Sequence, residues 1–162
     1  MNKFNLEKKW VFEPLNKVVI ENHLAKLFLQ AGAEKEVCLQ GTINFNRFQD
    51  DFHADDNIQS DYQEGVLKIS LPESDSDEFR DAVFTVTIPE GVYLQIITDN
   101  YPVNLDNLTN KLKVLNENGP VYLQNCKGDM HLESENGLIR LSNCEGDIFA
   151  KLENGPFYAS KI

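Results

Sequence analysis

The stretch ENGPVYLQNCKGDMHLESENGLIRLSNCEGDIFAKLENGPFY, from Glu117 to Tyr158, contains the triplet Glu-Asn-Gly three times at one fixed interval. Equivalent residues recur every 18 positions, and Cys126 and Cys144 follow the same interval. A constant period indicates a repeated structural unit rather than a row of catalytic groups. The recurring corner residues are Asn118, Gly119, Asn136, Gly137, Asn154 and Gly155.

Each period divides into two halves, and each half alternates apolar and polar residues, as in Val121 and Leu123 or Ile139 and Leu141. Such alternation is typical of a short half-buried strand. The Asn-Gly and Gly-Asp dipeptides are expected to form the corners, because glycine and asparagine tolerate the positive φ of a tight turn. The period continues backwards to Asn100 and forwards to Ile162.

The fixed spacing favours a stack in which the strands of successive repeats lie about 4.8 Å apart and equivalent residues are neighbours. The sequence therefore predicts an all-β chain, namely a right-handed β-solenoid (β-helix) with 18-residue repeats and two short strands per repeat. Predicted inward columns include Val103, Val121, Ile139 and Phe157. Another is Leu108, Cys126, Cys144 and Ile162. Asn107, Asn125 and Asn143 are expected to form an asparagine ladder.

The first part of the chain, residues 1–98, is also rich in strand-like runs but follows no period. With the regular repeats at 99–162, it is expected to complete one domain, residues 1–162. Acidic loops are predicted at 46–64 and 72–81. The strand-like runs are KWVFE, KVVIEN, AKLFLQ, EVCLQGTINF, GVLKISL, AVFTVTIP and VYLQIIT.

These runs, in this order and followed by NG-x-V-x-L and GD-I-x-A units, resemble a bacterial "putative adhesin" family of unknown function. The resemblance extends from Val18 to the end of the chain, and its most specific part is Phe84–Thr98. It implies a single-chain β-helix and an adhesin-like role with no catalytic residues. Many members follow a signal peptide or belong to envelope-stress proteins, a pattern from which this chain departs.

The GDIFA segment, Gly146–Ala150, is also similar to the repeats of bactofilins, which are cytoskeletal β-helices that polymerise through their ends. This second resemblance implies a self-assembling cytoplasmic scaffold. The last predicted repeat stops at Ile162, so either further residues complete it or two chains stack end to end. The partner is accordingly expected to be another protein or a second copy, as in a dimer through the C-terminal repeat.

The N-terminus has no apolar signal region, and nowhere are 18 consecutive residues apolar. The chain as given is therefore expected to be cytoplasmic, with envelope association through a partner or a removed leader as the alternative. Three cysteines without a secretion signal are typical of a reducing compartment. Cys126 and Cys144 are interpreted as core residues, with a redox or metal role as the alternative.

The net charge of −11 argues against general nucleic-acid binding and against binding to an anionic membrane surface. A basic partner, or calcium at the acidic loops, remains compatible with the composition. Each half-period has one glycine, and aspartate occurs only at Asp129 and Asp147, which is too few ligands for a calcium-binding β-roll. No metal site and no cofactor is predicted.

We expect no catalytic site. His23, His53 and His131 have no zinc-site spacing and belong to no nucleophile motif. Glu133 is preceded by Leu115 and followed by Lys151 at the 18-residue interval, so it starts no column of carboxylates for glycoside cleavage.

Two outward columns are the functional hint. One contains Asn104, Tyr122, Arg140 and Tyr158; the other contains Lys113, His131 and Phe149. Exposed aromatic and arginine side chains are enriched in contact surfaces, although cross-strand aromatic pairs can also serve only to stabilise a sheet. The predicted interaction surface is Tyr122, Arg140, Tyr158, His131 and Phe149. The leading hypothesis is a non-catalytic adhesin-like domain that binds protein or carbohydrate, and the alternative is the self-assembling scaffold.

Overall fold

The computed structural model describes residues 2–23, 25–32, 35–45, 58–71 and 79–161, and within these ranges the regular structure is entirely β-strand. The prediction of an all-β chain is therefore confirmed. The strands are β1 (Asn2–Trp10), β2 (Lys17–Asn22), β3 (Lys26–Gly32), β4 (Val37–Phe45), β5 (Gln59–Gln63), β6 (Val66–Ser70), β7 (Phe79–Pro89), β8 (Tyr93–Thr98), β9 (Val103–Asp106), β10 (Leu112–Asn116), β11 (Val121–Gln124), β12 (Met130–Ser134), β13 (Ile139–Ser142), β14 (Ile148–Leu152) and β15 (Phe157–Ser160).

These strands form two mixed sheets. The eight-stranded sheet has the order β1-β4-β7-β3-β9-β11-β13-β15, and the seven-stranded sheet has the order β14-β12-β10-β8-β2-β6-β5. Inward side chains of both sheets, such as Leu27 and Phe84 from one and Ile20 and Leu94 from the other, belong to one buried cluster. The outer faces of the two sheets consequently lie on opposite sides of a shared core.

The predicted right-handed β-solenoid is wrong. A solenoid adds each coil next to the preceding one, whereas β2 pairs with β6 on one side and β8 on the other, and β3 is inserted between β7 and β9. In addition, β1, β4 and β7 are joined by antiparallel pairing, and so are β5 and β6. The first half of the chain thus interleaves with the sheets and pairs in both directions, which gives two open mixed sheets.

The 18-residue interval sets the register of the parallel strands from β8 to β15. Val121 pairs with Val103 on one side and Ile139 on the other, and Met130 pairs with Leu112 and Ile148. Side-chain amides reinforce this register at the corners. Asn118, Asn136 and Asn154 each donate to the asparagine 18 residues earlier, at 2.8, 2.8 and 3.0 Å.

The second asparagine ladder lies at the opposite corner. Asn143 donates to Asn125 at 2.7 Å, and Asn125 donates to Asp106 at 3.4 Å rather than to Asn107. Asn107, Asn125 and Asn143 all have φ values between 54° and 57°, which asparagine tolerates better than most residues. The tight-turn chemistry expected of asparagine therefore occurs at this corner.

The Glu-Asn-Gly corners need glycine, but not for the positive φ that the Asn-Gly dipeptide predicts. Neither Asn136 nor Gly137 has a positive φ. Instead, a Cβ added at Gly137 would lie 2.8 Å from the carbonyl oxygen of Asn118 and closer still to that of Gly119. Close stacking of successive corners, rather than backbone conformation, excludes a side chain at this position.

Several predicted boundaries in the first half need correction. The run KWVFE is not a strand of its own, since β1 covers Asn2–Trp10 and ends inside it. Of the two predicted acidic loops, residues 59–63 form β5 and residues 79–81 begin β7. Residues 46–57 and 72–78, which contain most of the predicted loop residues, lie outside the described part. No helix in the described residues is long and apolar enough to cross a membrane.

Candidate functional site

Five side chains in register form a line across the outer face of the eight-stranded sheet. The period-two alternation turns them outward, because their neighbours in the inner strands, such as Val121 and Leu123 in β11, are buried in the core. In the edge strand β15 the corresponding neighbours, Phe157 and Ala159, are exposed, although Phe157 is predicted to point inward. Strand pairing then aligns them from β3 through β9, β11 and β13 to β15. This outer column consists of Phe28, Asn104, Tyr122, Arg140 and Tyr158.

The outer column is most exposed at its C-terminal end. Tyr158 is 50% exposed, Arg140 is exposed and Tyr122 is half-buried. The guanidinium carbon of Arg140 lies 5.2 Å from the centre of the Tyr158 ring, within the range of a cation–π contact. Arg140 thus stacks on one of its two neighbouring tyrosines, and both side chains of the pair are exposed to solvent.

Asn104 adds an unsatisfied group to the outer column. Its Nδ2 atom is buried and has no hydrogen-bond partner. A buried donor without an acceptor costs roughly 1–3 kcal/mol relative to a satisfied one. Asn104 lies between Phe28 and Tyr122 in the register, so a donor without a partner occurs within this line of planar side chains.

Two further columns flank the outer column. On one side, at the start of each strand, are mainly prolines. On the other side are mainly uncharged polar side chains. The proline column is Lys26, Pro102, Pro120, Leu138 and Pro156, and the polar column is Gln30, Asp106, Gln124, Ser142 and Ser160.

This face carries little charge. Of the fifteen residues in the three columns, three are charged, namely Lys26, Arg140 and Asp106, which leaves one net positive charge. The whole chain has a formal net charge of −11. The acidic residues of the protein are therefore concentrated elsewhere, and the face combines aromatic rings with amide and hydroxyl groups.

His131 and Phe149, which the sequence analysis groups with the tyrosines, lie on the opposite side of the molecule. They are in register on β12 and β14 of the seven-stranded sheet, with ring centres 4.7 Å apart and ring planes at 22°. His131 Nε2 also lies 3.3 Å from Glu133 Oε2. The sequence-predicted residues thus form two separate surfaces, because alternate strands of the periodic region belong to different sheets.

The seven-stranded sheet also carries a groove of about 300 Å³ at the corner that follows β8, β10, β12 and β14. Glu133 forms no carboxylate column there, since its register partners are Leu115 and Lys151. A column of acids does form beside it, at a position that the 18-residue interval marks but that is not among the predicted site residues. The acids of this corner column are Asp99, Glu117, Glu135 and Glu153.

Cys126 and Cys144 are free thiols with no exposed surface. They occupy equivalent positions above Leu108, and each thiol has two backbone carbonyl acceptors within reach. For Cys126 these are Gln124 O at 3.4 Å and Leu105 O at 3.7 Å, and for Cys144 they are Ser142 O at 3.5 Å and Leu123 O at 3.7 Å. Burial raises the pKa of the Cys126 thiol to about 11, so this thiol is protonated at neutral pH. Ile162, the last member of the predicted column, lies outside the described residues.

The histidines are dispersed. His23 Nδ1 lies 2.6 Å from Asp99 Oδ2, His131 is on the outer face of the seven-stranded sheet, and His53 lies outside the described residues. Within the ranges that the structure covers, no three His, Cys, Asp or Glu side chains are grouped so as to hold a metal ion.

Comparison with known proteins yields similarity in structure only. No protein-family model and no curated protein sequence matches the chain. A solved "putative cell adhesion protein" from Clostridium sporogenes is 10% identical, covering 96% of this chain and 99% of that one, with a TM-score of 0.53. "Putative adhesins" from Parabacteroides distasonis and Bacteroides fragilis are 10% and 13% identical. Each alignment covers 97% of both chains, and both TM-scores are 0.37. The chain therefore has an all-β fold similar to that of the Clostridium sporogenes protein.

Proposed function

We propose that the protein is a non-catalytic, adhesin-like binding domain that contacts its partner through the outer face of the eight-stranded sheet. The observation that carries this proposal is the outer column, in which Tyr122, Arg140 and Tyr158 stand in line on a face with little charge. Tyrosine and arginine are among the side chains that most often supply binding energy at contact surfaces. The fold similarity to a "putative cell adhesion protein" agrees with such a role.

The alternative explanation is that the column only stabilises its sheet. A cross-strand aromatic pair contributes roughly 0.2–1 kcal/mol, so its loss would lower the melting temperature by only a few degrees. Contact residues at the centre of an interface contribute more to binding than that. Binding and stability measurements on the same variants therefore separate the two explanations.

The test compares wild type with two double variants. Tyr122→Ala/Tyr158→Ala removes the tyrosines of the outer column, and His131→Ala/Phe149→Ala is the matched control on the opposite sheet. Each protein is passed over immobilised fibronectin, type I collagen, mucin, cellulose, chitin and xylan. We expect retention of wild type and of the control on at least one matrix, and at least tenfold weaker retention of the tyrosine variant. Failure of wild type to bind any matrix, or equal binding by both variants, would contradict the proposal.

Self-association is a second candidate function, favoured by the composition of β15. All four residues of this edge strand, Phe157–Ser160, are exposed and none is charged. The edge strand at the other end of the same sheet, β1, carries exposed charges at Lys3, Glu7 and Lys9. Charged side chains protect a sheet edge from pairing, so β15 is the less protected edge.

We propose that a second copy pairs with this edge to give a closed dimer. Light scattering over a concentration series would show the mass rising from one chain to two and then remaining constant. Ala159→Lys adds a charge to β15 and should keep the protein monomeric at every concentration. A wild-type mass that stays at one chain, or a dimer that persists in the variant, would exclude pairing through β15.

A further inference from the structure

The outer face repeats itself at the spacing of the strands. Each of β9, β11, β13 and β15 contributes one residue to the outer column and one to the polar column, and the residue just before each strand belongs to the proline column. Neighbouring strands lie about 4.8 Å apart, so the same three-part surface recurs at that interval along the sheet. A periodic surface is best matched by a ligand that is itself periodic.

The three columns also order the chemistry of the face across its width. The proline column is largely apolar, the outer column is planar and mostly aromatic, and the polar column offers amides and hydroxyls. A pyranose ring has the same division, since its C–H faces are apolar and its rim consists of hydroxyl groups. Its faces can stack on tyrosine rings while its hydroxyls bond to Gln124 or Ser142.

Charge indicates which glycans fit. The face has one net positive charge, whereas most acids of the chain lie outside it. The one arginine, Arg140, lies 5.2 Å from the centre of the Tyr158 ring, so its charge is already engaged in a cation–π contact within the face. A strongly anionic polymer would find only Lys26 and Arg140 to pair with, and Asp106 would repel it, so an uncharged glycan suits the face better.

We propose that the outer face binds an extended, neutral oligosaccharide that runs across the strands, with successive sugar units over Tyr122, Arg140 and Tyr158. This inference rests on the proposed function and names the ligand class for the same face. Sugar units in an extended glycan follow one another at a spacing close to that of the strands.

The experiment measures affinity by calorimetry for neutral glucose, xylose, mannose and N-acetylglucosamine oligosaccharides of two to six units, with polygalacturonate as the anionic probe. We expect at least one neutral series to bind, with affinity rising at least tenfold from two units to five and then levelling, because five strands carry the column. Tyr122→Ala/Tyr158→Ala should weaken hexasaccharide binding at least tenfold, and His131→Ala/Phe149→Ala should leave it within twofold of wild type.

A second variant protects the test against misfolding. Gln124 is exposed in the polar column, so Gln124→Ala should preserve the fold while weakening hexasaccharide binding about threefold. Three results would overturn the assignment of a neutral glycan: no binding of any neutral oligosaccharide, binding of polygalacturonate alone, or an affinity that does not change with the number of sugar units. If the protein binds only fibronectin, collagen or mucin protein, and Tyr122→Ala/Tyr158→Ala abolishes that binding, the result supports a binding domain and contradicts the glycan ligand.

Discussion

Gly137→Ala tests whether close stacking of the Glu-Asn-Gly corners holds the periodic part of the fold together. The added Cβ would lie 2.8 Å from Asn118 O and from Asn116 Nδ2, where ordinary van der Waals contact begins at 3.4 Å. The corner must therefore move away from the one below it. That movement strains the backbone bonds from Asn136 to Glu117, at 2.7 Å, and from Asn154 to Glu135, at 2.8 Å.

The magnitude follows from these contacts. Loss of two such hydrogen bonds costs roughly 1–3 kcal/mol, and overpacking costs roughly another 1–3 kcal/mol. Alanine recovers about 0.4–1 kcal/mol by restricting the unfolded chain. The net loss is about 2–5 kcal/mol, which for a chain of this length lowers the melting temperature by roughly 5–15 °C.

Gly91→Ala is the matched control for a glycine that is needed for conformation. Gly91 has φ +82°, and an added Cβ there meets nothing within 4 Å. Only the left-handed conformation is penalised, at about 1–2 kcal/mol. Thermal unfolding followed by circular dichroism should show Gly137→Ala to be clearly the less stable variant. A melting temperature for Gly137→Ala within 2 °C of wild type, or above that of Gly91→Ala, would refute the close-stacking argument.

Two further predictions concern charge and burial. The acids of the corner column follow one another at successive corners, one residue after β8, β10, β12 and β14, and neighbouring like charges repel, so Glu135→Gln should raise the melting temperature by about 1–2 °C in low salt. This gain should shrink in 1 M salt, and a loss of stability in low salt would contradict it. Because the folded pKa of Cys126 is raised to about 11 from an ordinary 9.0, its contribution to stability is complete below pH 9 and is lost as the pH approaches 11. Wild type should therefore lose roughly 2 kcal/mol relative to Cys126→Ala between pH 9 and 11 in urea unfolding, and parallel curves for the two proteins would contradict this.

The sequence allowed the local order of the second half to be predicted, because equivalent residues 18 apart, such as Val121 and Ile139, pair directly. The same interval aligned Tyr122, Arg140 and Tyr158. It could not place β2 and β3, since their partners β8 and β9 lie 76 residues later in the chain and no periodic residue marks the pairing. For that reason the solenoid prediction failed, and Phe28 was missed as the first member of the outer column.

The candidate surface was predicted in part for a similar reason. Period-two alternation showed that Tyr122 and His131 both face outward, but it carries no information about which sheet a strand joins. The structure puts them on opposite outer faces. For the corner acids, the repeat marks the residues but not the surface that they share. Glu117, Glu135 and Glu153 stand in the repeated triplet itself, and only the stacking of the corners reveals that they line one groove.

The most direct test of the account is to map ligand contacts on the molecule by amide NMR during titration with the neutral hexasaccharides. If the outer face binds an extended glycan, shifts should concentrate in β9, β11, β13 and β15 and spare the seven-stranded sheet. Absence of shifts with every hexasaccharide, or shifts centred on β10, β12 and β14, would contradict the assignment of the outer face as the glycan-binding surface.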